Sequence, residues 1–500
     1  MISSTKFNMN RKNHCCENPE LEEDSCGESG SNPASSLLII GGGSAAFAAA
    51  THAVELGAER VTIVNDGLPI GGTCVNVGCV PSKTLIRAAE SVHRANAIPF
   101  SGIKGSAGVV DFKALMRQKQ DLVEELRQAK YSDVVKDLPQ ARLVEGRARF
   151  TGPRAVDVNG ESITAERVLI ATGTRPFVPD IPGLKESGFL TSETALELEA
   201  LPESLIVLGG RYIALECAQM FARLGTKVTI LQRSDRILPN EQSDLTEVLA
   251  GYLRDEGIEV VTGVSIETVE CGGGEVVLTA RQRTGAFGTF RAHHLLAATG
   301  RKPNTDGLGL ERAGVALTAS GAIRVDDALQ TTAPGVYAAG DVIGGEQYVY
   351  VAAYEGALAA ANAFTGEANP RDYSALSRVI FTDPQVAGVG IDEAQARAAG
   401  YDAEAATLPL SHVPRCLAAR DTRGFIKLIR DRATDHLLGA RILAPEGGEL
   451  LMEVAVAMKH RIPVSELKTM FHPYLTLGEG IKLAAIAFGK DVNRLSCCAV

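Results

Sequence analysis

A glycine-rich turn between an apolar strand and a helix constrains the fold of this chain more than any other feature. The segment that begins at Leu37 runs into a turn that fits the pattern G-x-G-x-x-A through Gly41, Gly43 and Ala46. Such a turn lets the backbone approach a pyrophosphate, which then lies at the amino terminus of the following helix. The pattern predicts a dinucleotide-binding unit of the α/β class.

The ribose-binding acid of this first unit is ambiguous. It is expected directly after the second strand, which we place at Val61 to Val64. Asn65 holds that position and Asp66 follows it, so both remain candidates.

A second unit of the same kind follows the strand Leu205 to Leu208. It begins with Gly209, but Arg211 replaces the middle glycine and Ala214 the last one. A side chain thus stands where the backbone nearly touches phosphate. Either the loop opens slightly or Arg211 itself contacts the phosphate.

The residues after the next strand indicate which nucleotide the second unit binds. Gln232 stands where an acid would favour NADH, whereas Arg233 and Arg236 suit a 2′-phosphate. The alternative is that both arginines are solvated surface residues. We therefore predict NADPH as the ligand of this unit.

Three more glycine motifs end predicted strands at spacings that suit a flavoprotein with two such units. They are Ala171-Thr172-Gly173, Ala298-Thr299-Gly300-Arg301 and Ala339-Gly340-Asp341. Each is common alone, but their order and spacing together favour strand ends that cross close to a cofactor.

The stretch from Gly71 to Lys83 is the most specific in the chain. It contains Cys74 and Cys79, separated by four residues at a predicted helix start. Thiols at that spacing can close a disulfide, and a helix start lowers their pKa values. A zinc half-site is the alternative, but the sequence has no second Cys or His pair at suitable spacing.

This stretch resembles the redox-active segment of the pyridine nucleotide-disulfide oxidoreductases, and the resemblance runs from about Leu37 to the end of the chain. It implies FAD in the first unit, with Gly72 and Thr73 at the cofactor, and NADPH in the second. It also implies a carboxy-terminal domain that forms a homodimer. In the family, the residue matching Cys79 lies against the flavin and the one matching Cys74 faces the substrate.

The resemblance assigns four further residues to the site. Lys83 and Glu216 are implied to pair beside the flavin N5, rather than to be ordinary charges on helix surfaces. Tyr212 is implied to cover the nicotinamide pocket, and Asp341 to hold the ribityl chain.

The carboxy-terminal segment separates members of the family. Those that reduce disulfides carry a histidine as the acid/base, paired with a glutamate. Anchoring on Glu479 places Tyr474 at the histidine position, and His472 is out of register by two residues. A phenol that can ligate a metal suits a different reaction.

The last residues resemble the terminus of the mercuric-ion-reducing members. Adjacent Cys497 and Cys498 are poorly placed for an unstrained disulfide, but they offer two thiolates to one soft cation. The resemblance implies NADPH-dependent reduction of mercuric ion to elemental mercury. The ion would arrive as thiol complexes and pass from this terminal pair to Cys74 and Cys79 of the other subunit.

Two alternatives remain. One is an NADPH-dependent disulfide reductase of the glutathione or dihydrolipoamide type, for which the terminal cysteines are irrelevant. The other is a non-catalytic flavin-bearing protein for metal trafficking or redox sensing, favoured by Arg211 in the NADPH turn.

The length of 500 residues suits several domains. The predicted architecture is α/β, with two Rossmann-like dinucleotide-binding domains and a carboxy-terminal α+β dimerisation domain. The predicted boundaries are 1–35 for a disordered arm, 36–190 and 301–373 for the two parts of the FAD domain, 191–300 for the NADPH domain, 374–488 for the dimerisation domain and 489–500 for a flexible tail.

Charge and the distribution of apolar residues limit the binding partners and the cellular compartment that the sequence allows. The net charge of −10 argues against nucleic acid, and no apolar run is long enough to span a membrane. The amino terminus lacks the apolar core of a secretion signal, so we expect a cytoplasmic protein. Cys15, Cys16 and Cys26 form either a small mercury-collecting arm or stray thiols of an unstructured leader.

Overall fold

A five-stranded parallel sheet holds the first glycine-rich turn. In the computed structural model, which describes residues 35–491, strand Ser36–Ile40 lies between Arg60–Asn65 and Arg167–Ile170. Ala141–Glu145 and Val336–Ala338 form the two edges. The central strand is buried throughout, as expected for a parallel sheet covered on both faces.

A four-stranded parallel sheet holds the second turn. Strand Ser204–Leu208 lies between Lys227–Gln232 and His294–Ala297, and Glu259–Thr262 forms the edge. An antiparallel sheet interrupts this unit before its last strand; its strands are Val264–Gly272, Glu275–Gln282 and Phe287–Ala292.

The carboxy-terminal part is built on a five-stranded antiparallel sheet. Its strands, in spatial order, are Ser377–Ile380, Gln385–Gly390, Leu437–Ala444, Phe425–Asp431 and Ala403–Pro409. One apolar core joins this sheet to helices Leu451–Lys459 and Glu479–Ile486.

Smaller sheets and the helices complete the described residues. The smaller strands are Ala148–Gly152, Ala155–Val158, Glu161–Thr164, Thr174–Pro176 and Arg301–Pro303. The α-helices are Ser44–Glu55, Gly72–Val77, Cys79–Asn96, Phe112–Arg127, Asp133–Lys136, Ser192–Ala195, Tyr212–Leu224, Ser243–Asp255, Leu310–Ala313, Val349–Thr365, Glu393–Ala398, Pro414–Ala419, Leu451–Lys459, Val464–Thr469 and Glu479–Ile486. Short 3₁₀ turns lie at Lys185–Ser187, Asp341–Ile343, Leu410–His412 and Gly447–Leu450.

The fold class predicted from the sequence is confirmed: two parallel sheets with helices precede an antiparallel α+β part. The long helical pattern around residues 111–135 is divided, because a π turn at Gln128–Ser132 follows Phe112–Arg127. The predicted domain boundaries stay a prediction.

Several predicted features fall outside the described residues. They are the arm up to residue 34 with Cys15, Cys16 and Cys26, and the end of the tail with Cys497 and Cys498. Within residues 35–491, no helix combines the length and apolar character needed to cross a membrane.

Candidate active site

A cavity of about 430 Å³ lies where the first glycine-rich turn, the cysteine segment and the helix of the second unit meet. Many of the residues predicted from the sequence line it: Gly43, Thr73, Cys74, Cys79, Lys83, Ala171, Gly173, Tyr212, Glu216, Gly340 and Asp341. The other predicted residues described by the structure do not line it: Gly41, Ala46, Asn65, Asp66, Gly72, Thr172, Gly209, Arg211, Arg233, Arg236, Gly300 and Tyr474.

The two cysteines occupy neighbouring helices that share Gly78 as a boundary. Cys74 lies within helix Gly72–Val77, and Cys79 is the first residue of Cys79–Asn96. Both are free, half-buried thiols. The hydrogen bond from Cys74 lowers the pKa of Cys79 to about 7, with Lys83 acting in the same direction against burial. The same hydrogen bond raises the pKa of Cys74, so Cys79 is the thiolate of the pair near neutral pH.

Lys83 and Glu216 form an ion pair beside Cys79. The Lys83 Nζ lies 2.7 Å from Glu216 Oε2, and the buried carboxylate accepts a second hydrogen bond from the Phe381 N–H at 2.9 Å. The ammonium also lies 4.8 Å from the centre of the Phe381 ring. Burial pulls the pKa of Lys83 down, but Glu216 outweighs it and the pKa is raised. Lys83 is therefore a fixed cation facing the thiolate.

Replacing this cation should move the titration of Cys79. In Lys83→Met combined with Glu216→Gln, which leaves no unpaired charge, we expect the pH profile of Cys79 alkylation by iodoacetamide to move upward by less than the roughly one unit that a lone neighbouring cation is worth, because Lys83 lowers the pKa of Cys79 and Glu216 raises it to a smaller extent. The direction follows because a nearby cation favours the thiolate. Lys113→Met, on the exposed side of another helix, serves as the control. An unchanged profile in the double variant would show that the Lys83–Glu216 pair has no net effect on the pKa of the thiol.

The first glycine-rich turn has the shape of a phosphate cradle. Gly41 has φ +119°, and a Cβ there would lie 2.2 Å from the carbonyl oxygen of Ala171. The helix Ser44–Glu55 starts at Gly43 with no side-chain cap. Its first N–H groups therefore face a cavity wall with no competing side chain, an arrangement that fits the pyrophosphate of FAD.

Asp341 lines the same cavity and follows the carboxyl end of the edge strand Val336–Ala338 of the same parallel sheet. It is half-buried, and its Oδ2 accepts a hydrogen bond from Thr174 Oγ1 at 2.9 Å. Arg301 holds Thr174 in turn through its Nε, at 2.7 Å from Oγ1. Burial raises the pKa of Asp341. A carboxylate fixed in this way is a suitable acceptor for sugar-alcohol hydroxyls of a flavin.

The backbone of the second turn accommodates Arg211 without strain. Gly209 has φ +120°, and a Cβ there would lie 2.3 Å from Ala298 O, so the glycine is needed. Arg211 has φ −97° and ψ −176°, almost the same as Gly43 at −94° and −168°. That extended conformation is open to any residue, so Arg211 causes no backbone strain. Its side chain is exposed, and whether it contacts the phosphate stays a prediction.

The other NADPH candidates lie around the end of strand Lys227–Gln232. Gln232 is buried against Gly210, whereas Arg233 is exposed. Arg236 is partly buried, and its Nη2 donates to Pro239 O at 3.1 Å. The exposed guanidinium of Arg233 is thus the more accessible of the two arginines for a 2′-phosphate.

The carboxy-terminal loop lacks a histidine–glutamate acid/base pair between His472 and Glu479. His472 Nε2 lies 2.7 Å from Glu453 Oε1 on helix Leu451–Lys459. Glu479 is buried, and its Oε2 accepts the N–H of Leu475 at 3.3 Å. Tyr474 lies between them with 55% of its surface exposed. Both groups of a disulfide-reductase dyad thus brace the loop instead.

Several residues that line the cavity were not among the predicted site residues, and four of them have a clear structural role there. Tyr348 and Tyr350 stack with ring centroids 5.4 Å apart, and the Tyr350 hydroxyl donates to Ser377 O. Thr174 and Arg301 brace Asp341. Arg301 ends one of the glycine motifs, so its position beside a cofactor strand could have drawn attention; the two tyrosines carry no comparable motif.

A metal site formed by the described residues alone is not found. Within residues 35–491, no three His, Cys, Asp or Glu side chains are grouped so that they could hold a metal ion. Cys74 and Cys79 offer two thiol ligands.

Comparison with known proteins agrees with this geometry. Residues 35–356 match the family model for pyridine nucleotide-disulphide oxidoreductases, and residues 376–485 match the dimerisation domain of the same family. Among solved structures, the Cu(II) complex of the HOCl-induced flavoprotein disulfide reductase RclA from Escherichia coli superimposes with a TM-score of 0.81 at 31% identity, covering 92% of this chain and 100% of that one. LpdA from Mycobacterium tuberculosis gives 0.81 at 29% identity, covering 91% and 100%.

Curated relatives narrow the family further. The mercuric reductase of Lysinibacillus sphaericus is 44% identical over 463 residues, covering 93% of this chain and 84% of the relative. That of Shigella flexneri is 46% identical, covering 94% and 84%, and that of Streptomyces lividans is 45% identical, covering 93% and 98%. The chain therefore belongs to the pyridine nucleotide-disulphide oxidoreductase family and, within it, to the mercuric reductases.

Proposed function

We propose that this protein uses NADPH to reduce mercuric ion to elemental mercury at the Cys74–Cys79 pair. The balanced reaction takes up one mercuric ion and one NADPH and yields a mercury atom, NADP⁺ and a proton. Family membership implies FAD and NADPH as cofactors. The observation that carries the proposal is a thiolate of lowered pKa and a second thiol, which line one cavity with the first glycine-rich turn and the helix that follows the second.

The chain's own residues divide the work between charge, ligation and orientation. When bound, FAD supplies the relay that takes two electrons from NADPH toward the dithiol side of the cavity. Cys79 and Cys74 provide soft sulfur ligands, which select a polarisable cation over harder divalent ions. The hydrogen bond from Cys74 and the ammonium of Lys83, which is held by Glu216, both favour the thiolate form of Cys79.

Delivery of the ion forms the second part of the proposal. The ion arrives as a complex with small thiols, and Cys497 and Cys498 of one subunit exchange it onto Cys74 and Cys79 of the other. Tyr474 comes from the first subunit, which is consistent with its exposed position outside the cavity of its own chain. The match to a dimerisation domain supports a shared site. Because reduced thiols must persist, we place the reaction in the cytoplasm.

The loop geometry does not favour the disulfide-reductase alternative, because the candidate acid/base residues are engaged in other contacts. That reaction needs a group to protonate the leaving thiolate, and His472 is engaged with Glu453 while Glu479 holds a backbone N–H. The trafficking alternative rested on Arg211, whose extended backbone keeps the NADPH turn intact.

One assay tests both parts of the proposal. Purified protein with FAD, NADPH and mercuric ion in excess thiol should oxidise NADPH and release volatile mercury. Cys497→Ser combined with Cys498→Ser should lower this turnover by roughly tenfold or more, because ligand exchange with competing thiols becomes slow. Cys15→Ser with Cys16→Ser is the matched control for loss of an adjacent pair.

The possible outcomes separate the alternatives. Turnover with oxidised glutathione but not with mercury would indicate a disulfide reductase. Failure of NADPH to bleach the flavin anaerobically would indicate a non-catalytic protein. Full mercury turnover by the terminal double variant in excess thiol would refute the delivery step alone.

A further inference from the structure

The amide that replaces the ribose-binding acid of the first unit is fully occupied within the protein. Asn65 ends strand Arg60–Asn65 and is 5% exposed. Its Nδ2 donates to Leu68 O at 3.0 Å and to Glu145 Oε2 at 3.2 Å. A Cβ on Gly42 would lie 2.3 Å from Asn65 Oδ1, so the amide oxygen packs tightly against the glycine-rich turn. Asn65 therefore braces the turn and carries no charge for a ligand.

A carboxylate nevertheless lies at this strand end. Glu145 ends the neighbouring strand Ala141–Glu145 and is the direct register partner of Asn65 in the parallel ladder. The Gly146 N–H donates to Asn65 O at 2.9 Å, which fixes the two strand ends side by side. Carboxyl ends of adjacent parallel strands face the same ligand crevice. Glu145 thus stands one strand away from the position at which the pattern predicts an acid.

The Glu145 carboxylate is available to a ligand. The residue is exposed, and its Oε2 accepts from Asn65. Within residues 35–491, no group donates a hydrogen bond to its Oε1. Asp66, the other candidate from the sequence, is also exposed, but no hydrogen bond of the described residues ties its side chain to the turn. Only Glu145 is connected to the glycine-rich turn, through Asn65.

We propose that Glu145, oriented by Asn65, binds the adenosine ribose hydroxyls of FAD. A carboxylate accepts hydrogen bonds from sugar hydroxyls, and bonds to an ionised acceptor are the stronger kind. The ribose-binding acid of the first unit then lies on the neighbouring strand, and the hydrogen bond from Asn65 fixes the orientation of its carboxylate. The inference rests on FAD occupying the first unit and is independent of the metal substrate.

The test measures which dinucleotide the protein retains. Full-length holoenzyme is equilibrated with equal excesses of FAD and an FAD analogue lacking both adenosine ribose hydroxyls, and the bound dinucleotides are released and quantified. Wild type should prefer FAD by roughly ten- to a hundredfold, the value of hydrogen bonds to a charged acceptor. Glu145→Gln should reduce the preference to about threefold or less, and Asp66→Asn, the matched control, should keep it.

Loss of the preference in Glu145→Gln alone could also reflect a disturbed turn, so a second variant moves the carboxylate to the neighbouring strand end. Asn65→Glu in the Glu145→Gln background returns a carboxylate to the neighbouring strand end and should restore the preference for FAD. If Glu145→Gln retains no flavin although circular dichroism shows a folded chain, restored flavin retention in the double variant supports the assignment and continued loss overturns it. An unchanged preference in Glu145→Gln, or its loss in Asp66→Asn, also overturns it. Failure of the proposed reaction would show as absent mercury turnover in the wild-type holoenzyme, whereas this assignment is read from dinucleotide preference alone, so the two failures are distinguishable.

Discussion

Cys79→Ser should abolish mercury-dependent NADPH oxidation, with a loss of at least about a thousandfold. The structure gives Cys79 a pKa of about 7, so a large share of the thiol is ionised at neutral pH. A serine hydroxyl has no comparable anionic form there, and it is a poor ligand for a soft cation. The measurement is the initial rate of NADPH consumption with mercuric ion in excess thiol.

Two controls separate loss of the ligand from loss of the fold. Cys271→Ser removes an exposed thiol on strand Val264–Gly272 and should leave the rate unchanged. Anaerobic bleaching of the flavin by NADPH should persist in Cys79→Ser, because the cofactor turns are untouched. Substantial mercury turnover by Cys79→Ser would place the reaction elsewhere than at this thiol pair.

The cofactor turns and the thiol pair could be predicted from the sequence because each depends on residues that are close together in the chain. Gly41 and Gly209 each need a positive φ within one strand–turn–helix unit, which is the local part of the motif, whereas the carbonyls 2.2 and 2.3 Å from a Cβ belong to the distant residues Ala171 and Ala298. The six-residue span of Cys74 and Cys79 likewise fixes their proximity within consecutive helices.

Contacts between distant segments could not be predicted in the same way. Glu145 and Asn65 are 80 residues apart and meet only because their strands pair in the sheet. Lys83 and Glu216 are 133 residues apart, and only the family resemblance suggested their pairing. The bond between the Phe381 N–H and Glu216 spans 165 residues and depends on the carboxy-terminal part packing against helix Tyr212–Leu224.

A buried network of ion pairs lies at the centre of this packing. Its members on helix Tyr212–Leu224 are one and two turns after Glu216. The Arg223 side chain is 4% exposed and contacts Glu256 at 2.6 Å and Asp383 at 3.0 Å. Gln219 exchanges hydrogen bonds with the backbone of Asp383, at 2.8 and 2.9 Å. Arg423 adds a second cation, 3.0 Å from Asp383. The network therefore joins helix Tyr212–Leu224 to the segment that carries Phe381.

Arg223→Met should lower the free energy of unfolding by about 3 kcal/mol, the lower end of the cost of removing one partner from a buried pair. The lower end applies because Arg423 still faces Asp383 and, at 3.7 Å, Glu256. The check is the thermal midpoint at one scan rate, compared with Arg397→Met, which removes an exposed helix pair with Glu393 and should cost about 0.5 kcal/mol or less.

The same variant should also affect the thiol pair. Phe381 is two residues from Asp383 and donates to Glu216, so a loosened segment should weaken the Lys83–Glu216 ion pair and raise the pH needed for Cys79 alkylation. Equal midpoints for the two arginine variants would mean that the network contributes no more than a surface pair, and the link from the carboxy-terminal part to the thiolate would then have to run through Phe381 alone.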